Sequence, residues 1–136
     1  MNTVNIIEQI RSLLEDRAEI DFAYVHGSAI EHDAPRDIDL AVHLREEAFA
    51  RLGSGLSVTL DFAIPLEVML EARIGMAVDV QVLNSAPLTF RARVVSQGRT
   101  LVDHDPRGRA DFEYRSRYEY FDFRPRRREY LAGVMA

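Results

Sequence analysis

The chain reads as an α/β domain: a small mixed β-sheet flanked by helices, with a C-terminal helical tail. Three observations predict it. Apolar residues recur at helical spacing in some segments and alternate with polar ones in others, and the two patterns take turns, giving the order α-β-α-β-α-β-α-β-α. The segment Asp37 to Leu44 alternates cleanly, with Ile38, Leu40, Val42 and Leu44 on one face and Asp37, Asp39, Ala41 and His43 on the other. The breaks between segments carry glycine, proline or serine, the residues that favour turns.

The first helix runs from Thr3, a candidate cap, to about Asp16, with Val4, Ile7 and Leu14 and the neighbouring Ile6, Ile10 and Leu13 as its apolar stripe. A strand follows from Ile20 to His26, with Phe22 and Tyr24 on one face, and breaks at Gly27-Ser28. Ala29 to Arg36 is polar and contains Pro35, which predicts a short helical turn or loop. After the strand at 37–44, Arg45 to Arg51 predicts a short helix ended by a flexible Gly53-Ser54-Gly55. Leu66 to Arg73 predicts another helix, with Pro65 early and Gly75 just past its end.

Ala77 to Leu83 is the third strand. Ser85 is expected to cap a helix opened by Ala86-Pro87, which carries Leu88, Ala92 and Val95 inward and stops at Gly98. Thr100-Leu101-Val102 makes a short fourth strand. Asp105-Pro106 starts a last helical region that Pro125 is expected to interrupt. With no repeat, low-complexity run or linker, the division is a core over 1–104 and a tail over 105–136 that packs on the core, on a partner, or on both.

Composition narrows the function. A chain of 136 residues, 47% hydrophobic and 29% charged, can bury a core without staples. It has no cysteine, which removes disulfides, thiolate metal sites and thiol catalysis and fits a reducing compartment. The apolar runs are too short to span a bilayer, and the first residues lack the basic flank of a signal peptide, so a cytoplasmic location without membrane contact is the expectation. A net charge of −5 argues against general nucleic-acid binding, which needs a basic surface. All 17 lysine-plus-arginine positions are arginine. That excludes a Walker-type phosphate loop and Schiff-base chemistry, both of which need lysine.

Acids inside strand-like apolar runs are costly unless something pairs with them. Asp37 and Asp39 share one strand face, their Cα atoms roughly 7 Å apart. Asp79 sits in Val78-Asp79-Val80-Gln81-Val82-Leu83. A divalent cation carrying a nucleotide triphosphate suits such a set, because two-metal phosphoryl chemistry places ions roughly 3.5–4 Å apart. Asp37 and Asp39 are then metal ligands, and Asp79 is a further ligand or the acceptor of the attacking hydroxyl's proton. Gly27 would let backbone approach a phosphate, and Ser28 would offer its hydroxyl and N–H to the same group. The competing readings are a water-facing edge residue for Asp79 and a strand-entry cap for Asp37.

His26 and His43 read as hydrogen-bonded strand histidines rather than ligands, while His32 and His104 read as solvated. Gln81 shares the Asp79 face, so it lines the same pocket or packs structurally. In the tail, Phe112, Tyr114, Tyr118, Tyr120, Phe121 and Phe123 interleave with arginines, including Arg124, Arg126, Arg127 and Arg128. Acids dilute that charge, which favours core packing plus a protein interface over RNA.

The pattern Gly27-Ser28, short loop, Asp37-Ile38-Asp39 and a later Asp79 within Val-Asp-Val resembles the polymerase-beta-type nucleotidyltransferase superfamily. More narrowly it is similar to the minimal nucleotidyltransferase (MNT) proteins. The stretch Val78 to Pro87 resembles that subfamily's third-carboxylate strand and following helix, and Tyr120 to Pro125 resembles its C-terminal helices. The resemblance implies a single-domain minimal nucleotidyltransferase fold with its nucleotidyl core at 1–104 and Mg²⁺ on Asp37, Asp39 and Asp79. It also implies ATP bound at Gly27 and Ser28. The partner it implies is a HEPN-domain RNase toxin, neutralised by transfer of AMP to a tyrosine. The loop before Asp37 is shorter than is usual in the family and ends in arginine, so Arg36 either adds a phosphate contact to the nucleotide-binding set or sits at the surface. Two other readings stand beside this one: an antitoxin that blocks its toxin by contact alone, and a nucleotidyltransferase acting on a small molecule.

Overall fold

In the computed structural model the described backbone covers residues 3–31 and 36–135, and the described side chains are those of 4–27, 29–30 and 36–122. The order is α1 (Thr3–Glu15), β1 (Ile20–His26), α2 (Ser28–Glu31), β2 (Asp37–Leu44), α3 (Glu46–Leu52), α4 (Gly55–Val58), a π-helical turn (Thr59–Ala63), α5 (Ile64–Ile74), β3 (Ala77–Val82), a 3₁₀ turn (Leu83–Ser85), α6 (Leu88–Gln97), β4 (Arg99–Asp103) and α7 (Pro106–Met135). The strands form one sheet in the order β3-β2-β1-β4. β1 lies antiparallel to β2 and β4, and β2 lies parallel to β3, which makes the sheet mixed as expected.

Helices cover both faces. On one face Ile38, Leu40, Val42 and Leu44 of β2, each 0% exposed, meet Ile10 and Leu14 of α1 and Leu66 and Leu70 of α5. On the other, Phe22, Tyr24 and Ala41 meet Val94 and Val95 of α6 and Phe112 of α7. The alternation read from 37–44 thus decides which β2 side chains enter the α1–α5 core and which face α6 and α7. The first half of α7 is tied to the sheet by polar contacts as well. The Tyr24 hydroxyl donates to Glu113 (2.8 Å), and Arg109 donates to Asp103 (2.7 Å) and Glu113 (2.9 Å).

β3 is an outer strand, and its backbone is partly sealed. The N–H of Val78 donates to Glu71 Oε1 (3.0 Å) and that of Val80 to Glu67 Oε2 (2.7 Å), both from α5. α5 itself ends where Gly75, at φ 73°, turns left-handed and its N–H caps Glu71 O at 2.9 Å.

Three local expectations change. The helix ending at Gly75 begins earlier than Pro65, because a helical path runs from Gly55 through the π turn into α5; only Gly53, at φ 82°, makes the break. The cap of α6 is Pro87, not Ser85, since residues 83–85 are taken up by the 3₁₀ turn. α7 continues through Pro125 rather than stopping there, because one missing N–H removes a single rung from a long helix.

His43 lies on the far end of the face that carries Asp39. It stacks on Phe22 (ring centroids 4.6 Å apart, 9° between planes) and its Nδ1 lies 3.3 Å from Asp21 Oδ2. Burial pushes its pKa below the ordinary 6.5, against the pull of Asp21. The folded protein therefore holds His43 neutral where the unfolded chain would take up a proton. Its contribution to stability is complete above 6.5 and is lost as pH falls below that value. Denaturant unfolding at about pH 7 and about pH 5 should show a smaller loss of stability for His43→Gln than for the wild type. Equal losses in the two proteins would refute this assignment. His104 is not merely solvated: its Nδ1 meets Ile20 O at 2.8 Å and its Nε2 meets Glu15 at 3.3 Å. His32 lies outside the described residues.

Candidate active site

The sheet brings distant residues into one row. In the β2–β3 ladder Asp39 stands opposite Asp79, and in the β1–β2 ladder it stands opposite His26. Each of the three sits on the face of its strand that turns away from the α1–α5 core. They line one cleft of about 540 Å³ with Gly27, Gln81, Phe90, Arg93, Val94 and Gln97. That volume falls in the range of about 300–1,000 Å³ usual for small-molecule sites. Gln81 donates to Asp79 Oδ2 at 3.2 Å, so it lines the pocket rather than packing elsewhere. A second groove of about 550 Å³ shares Asp79, Gln81 and Phe90 and runs on to the π turn and α5 through Val58, Thr59 and Ile64.

Gly27 ends β1 at φ 71°, a conformation that L side chains rarely adopt, and a Cβ built there would stand 2.5 Å from Asp39 Oδ2. The turn therefore seats the carboxylate directly against bare backbone. Ser28 opens α2 immediately after it; its side chain lies outside the described residues. Arg36 is exposed just before β2 and is absent from the residues that line the cleft. Asp37 is exposed as well, two residues before Asp39 on the same strand face.

The electrostatics suit a cation. Asp39 has its pKa raised, first by burial and then by the charges of Asp37 and Asp79, with His26 pulling the other way. Like charges crowded around a half-buried carboxylate are relieved when a metal ion binds between them. Among the described residues no three Asp, Glu or His side chains converge on a single point, so a complete three-ligand cage is not preformed. Mg²⁺ does not require one. It keeps several waters and takes one or two carboxylates plus substrate phosphates, which fits the adjacent pair Asp39 and Asp79 with Asp37 at the rim.

Two residues of the cleft go beyond the sequence reading. His26, read as a hydrogen-bonded strand histidine, has a buried Nε2 that finds no hydrogen-bond partner among the described residues. Burial lowers its pKa, opposed by Asp39 and reinforced by Arg93. Arg93 reaches the cleft from α6, whose residues Phe90, Arg93, Val94 and Gln97 recur at the spacing of one helix face. In the tail only Phe112 is a buried core aromatic among the described residues. Tyr114, Tyr118 and Phe121 are 67%, 63% and 64% exposed, and the first two stack at 6.0 Å. The side chains of Phe123 and of the arginines at 124–128 lie outside the described residues.

The cleft sets two strand carboxylates beside a glycine turn, and comparison with known proteins shows the family of the chain. The family model described as polymerase beta, nucleotidyltransferase matches residues 8–107. The chain belongs to that family. No curated protein matches. Among solved structures, the chain is similar to the MNT antitoxin in a complex with the tri-AMPylated HEPN toxin of Shewanella oneidensis. That likeness has 22% identity and a TM-score of 0.72, over 98% of this chain and 99% of the other. It is also similar to a toxin–antitoxin MntA–HepT structure (21% identity, TM-score 0.70, 98% and 99% covered) and to a toxin–antitoxin structure with AMP-PNP (22%, 0.71, 97% and 99%). These likenesses extend along the whole chain and establish the minimal nucleotidyltransferase fold.

Proposed function

We propose that this chain is an antitoxin acting as a Mg²⁺-dependent protein adenylyltransferase, which moves AMP from ATP to a tyrosine hydroxyl of a HEPN-domain toxin. The single observation that carries the reading is the register that sets Asp39 beside Asp79, against the Gly27 turn, in an open cleft. The AMPylated HEPN toxin and the AMP-PNP found in the complexes of its structural relatives support the same reading.

In this reading Asp39 and Asp79, with Asp37 at the rim, hold the metal, which when bound neutralises phosphate charge and orients the nucleotide. Gly27 and Ser28 present backbone to the phosphates. The acceptor oxygen bonds to the α-phosphorus as the bond from that phosphorus to the bridging oxygen of the β-phosphate breaks. The electron pair leaves with pyrophosphate, and the hydroxyl proton passes to Asp79. The protein supplies positioning and charge compensation and forms no covalent intermediate. The core at 1–104 carries this chemistry. The tail at 105–136 offers a partner surface, supported by the exposed Tyr114, Tyr118 and Phe121.

The test is incubation with ATP labelled in its α-phosphate, Mg²⁺ and the product of the neighbouring gene, followed by mass analysis of that product. One or more added AMP groups on a tyrosine bear the proposal out. A wild-type chain that neutralises the toxin and leaves it unmodified is a contact inhibitor instead. Label appearing only on a small hydroxyl compound would point to a small-molecule acceptor.

A further inference from the structure

The cleft is lined by two carboxylates and by the exposed guanidinium side chain of Arg93, yet the opposite charges do not pair. Arg93 forms no ion pair with any carboxylate among the described residues, although it lines the same cleft as Asp39 and Asp79. Its charge is felt in the cleft, where it disfavours protonation of His26. Its guanidinium carbon stands 5.7 Å from the centre of the Phe90 ring, on the same helix. Gln97, one turn along α6, brings an amide to the same wall.

An arginine that is held over an aromatic ring, in a cleft it shares with two acids it does not pair with, is placed for an anion that is not part of the chain. The need for one is plain. A nucleoside triphosphate carries more negative charge than one cation offsets, and nucleotidyl transfer leaves further charge on the departing pyrophosphate. The chain has no lysine to meet it. Arg36, the residue the sequence suggested, is not part of the cleft lining.

Resting on the nucleotidyl-transfer reading above, we infer that Arg93 holds the β- and γ-phosphates of the nucleotide and stabilises the pyrophosphate as it leaves, with Gln97 beside it. Arg93 then sets the preference for triphosphate over monophosphate, while the carboxylates of the cleft hold the metal and the α-phosphate end. The guanidinium fork presents two parallel N–H groups to two phosphate oxygens in a fixed plane, a geometry that an ammonium lacks.

The experiment is calorimetric titration of the full chain, in Mg²⁺ buffer, with ATP, ADP and AMP. It compares the wild type with Arg93→Gln, Arg93→Lys and Arg93→Met, the last keeping an apolar stem over Phe90. Arg93→Gln and Arg93→Met should weaken ATP binding about 10- to 100-fold and AMP binding less than about twofold, with Arg93→Lys in between. ATP affinity unchanged in Arg93→Gln, or equal losses for ATP and AMP, would overturn the assignment and leave Arg93 as a packing residue. A wild-type chain that binds none of the three nucleotides would overturn the nucleotidyl-transfer reading itself, and with it this one.

Discussion

Asp39→Asn should reduce AMP transfer by about 10²- to 10³-fold or more while raising the melting temperature of the ligand-free protein. The loss of rate follows from position. Asp39 is the central carboxylate of the row, flanked by Asp79 on one strand and His26 on the other. Removing one preorganised charge at such a centre costs about 10²–10³ in turnover, and a metal ligand at least as much. The gain in stability follows from the raised pKa of Asp39. A carboxylate that the fold holds above its ordinary 3.8 destabilises the native state when ionised. That cost is complete above the folded pKa and vanishes as pH falls below 3.8. The amide has no such cost, so the difference in melting temperature between variant and wild type should be present near neutrality and close towards about pH 3. A variant that melts below the wild type at neutral pH, or that still transfers AMP at an undiminished rate, contradicts the role given to Asp39.

Gly27→Ala should cost both activity and stability. The left-handed backbone at φ 71° alone costs an L residue about 1 kcal/mol. The new methyl would stand 2.5 Å from Asp39 Oδ2, so the carboxylate must swing aside. Displacing a reacting or metal-holding group by about 1 Å costs about 10²-fold in rate. AMP transfer should therefore fall by about that factor, with a lower melting temperature, the reverse of the thermal effect at Asp39. An alanine variant with full activity would show that the close approach at this turn is not needed.

The sequence was most legible where one local rule decides. The strand at 37–44 carries period-two alternation without interruption, and β2 has those bounds, with Asp37, Asp39 and His43 on the predicted face. Gly75 likewise announced the end of α5, because a left-handed cap needs little beyond its own backbone. Legibility failed where two local signals compete. Gly53 and Gly55 look alike in sequence, yet only Gly53 takes a left-handed φ and makes the break, while Gly55 is the first residue of α4. Ser85 and Pro87 both suit a helix start, and the 3₁₀ turn claimed the serine. The wall of the cleft was the least legible part. Arg93 joins the cleft only once α6 packs against β1, a relation between segments that no window of sequence contains. Arg36 is exposed beside Asp37, and like Asp37 it does not line the cleft, so adjacency to an acid in the sequence did not by itself place it on the cleft wall.

The glutamates that seal β3 bear on how the molecule can meet other chains. An open outer strand invites a foreign strand to zip onto it, and two copies joined that way would bury the row of acids or grow into fibrils. Here any intruder must first expel Glu67 and Glu71 from the amides of Val80 and Val78, and those carboxylates would be left charged at the seam. Recognition along this border is thereby confined to side chains, and the strand bearing Asp79 keeps its place whether or not a companion is present.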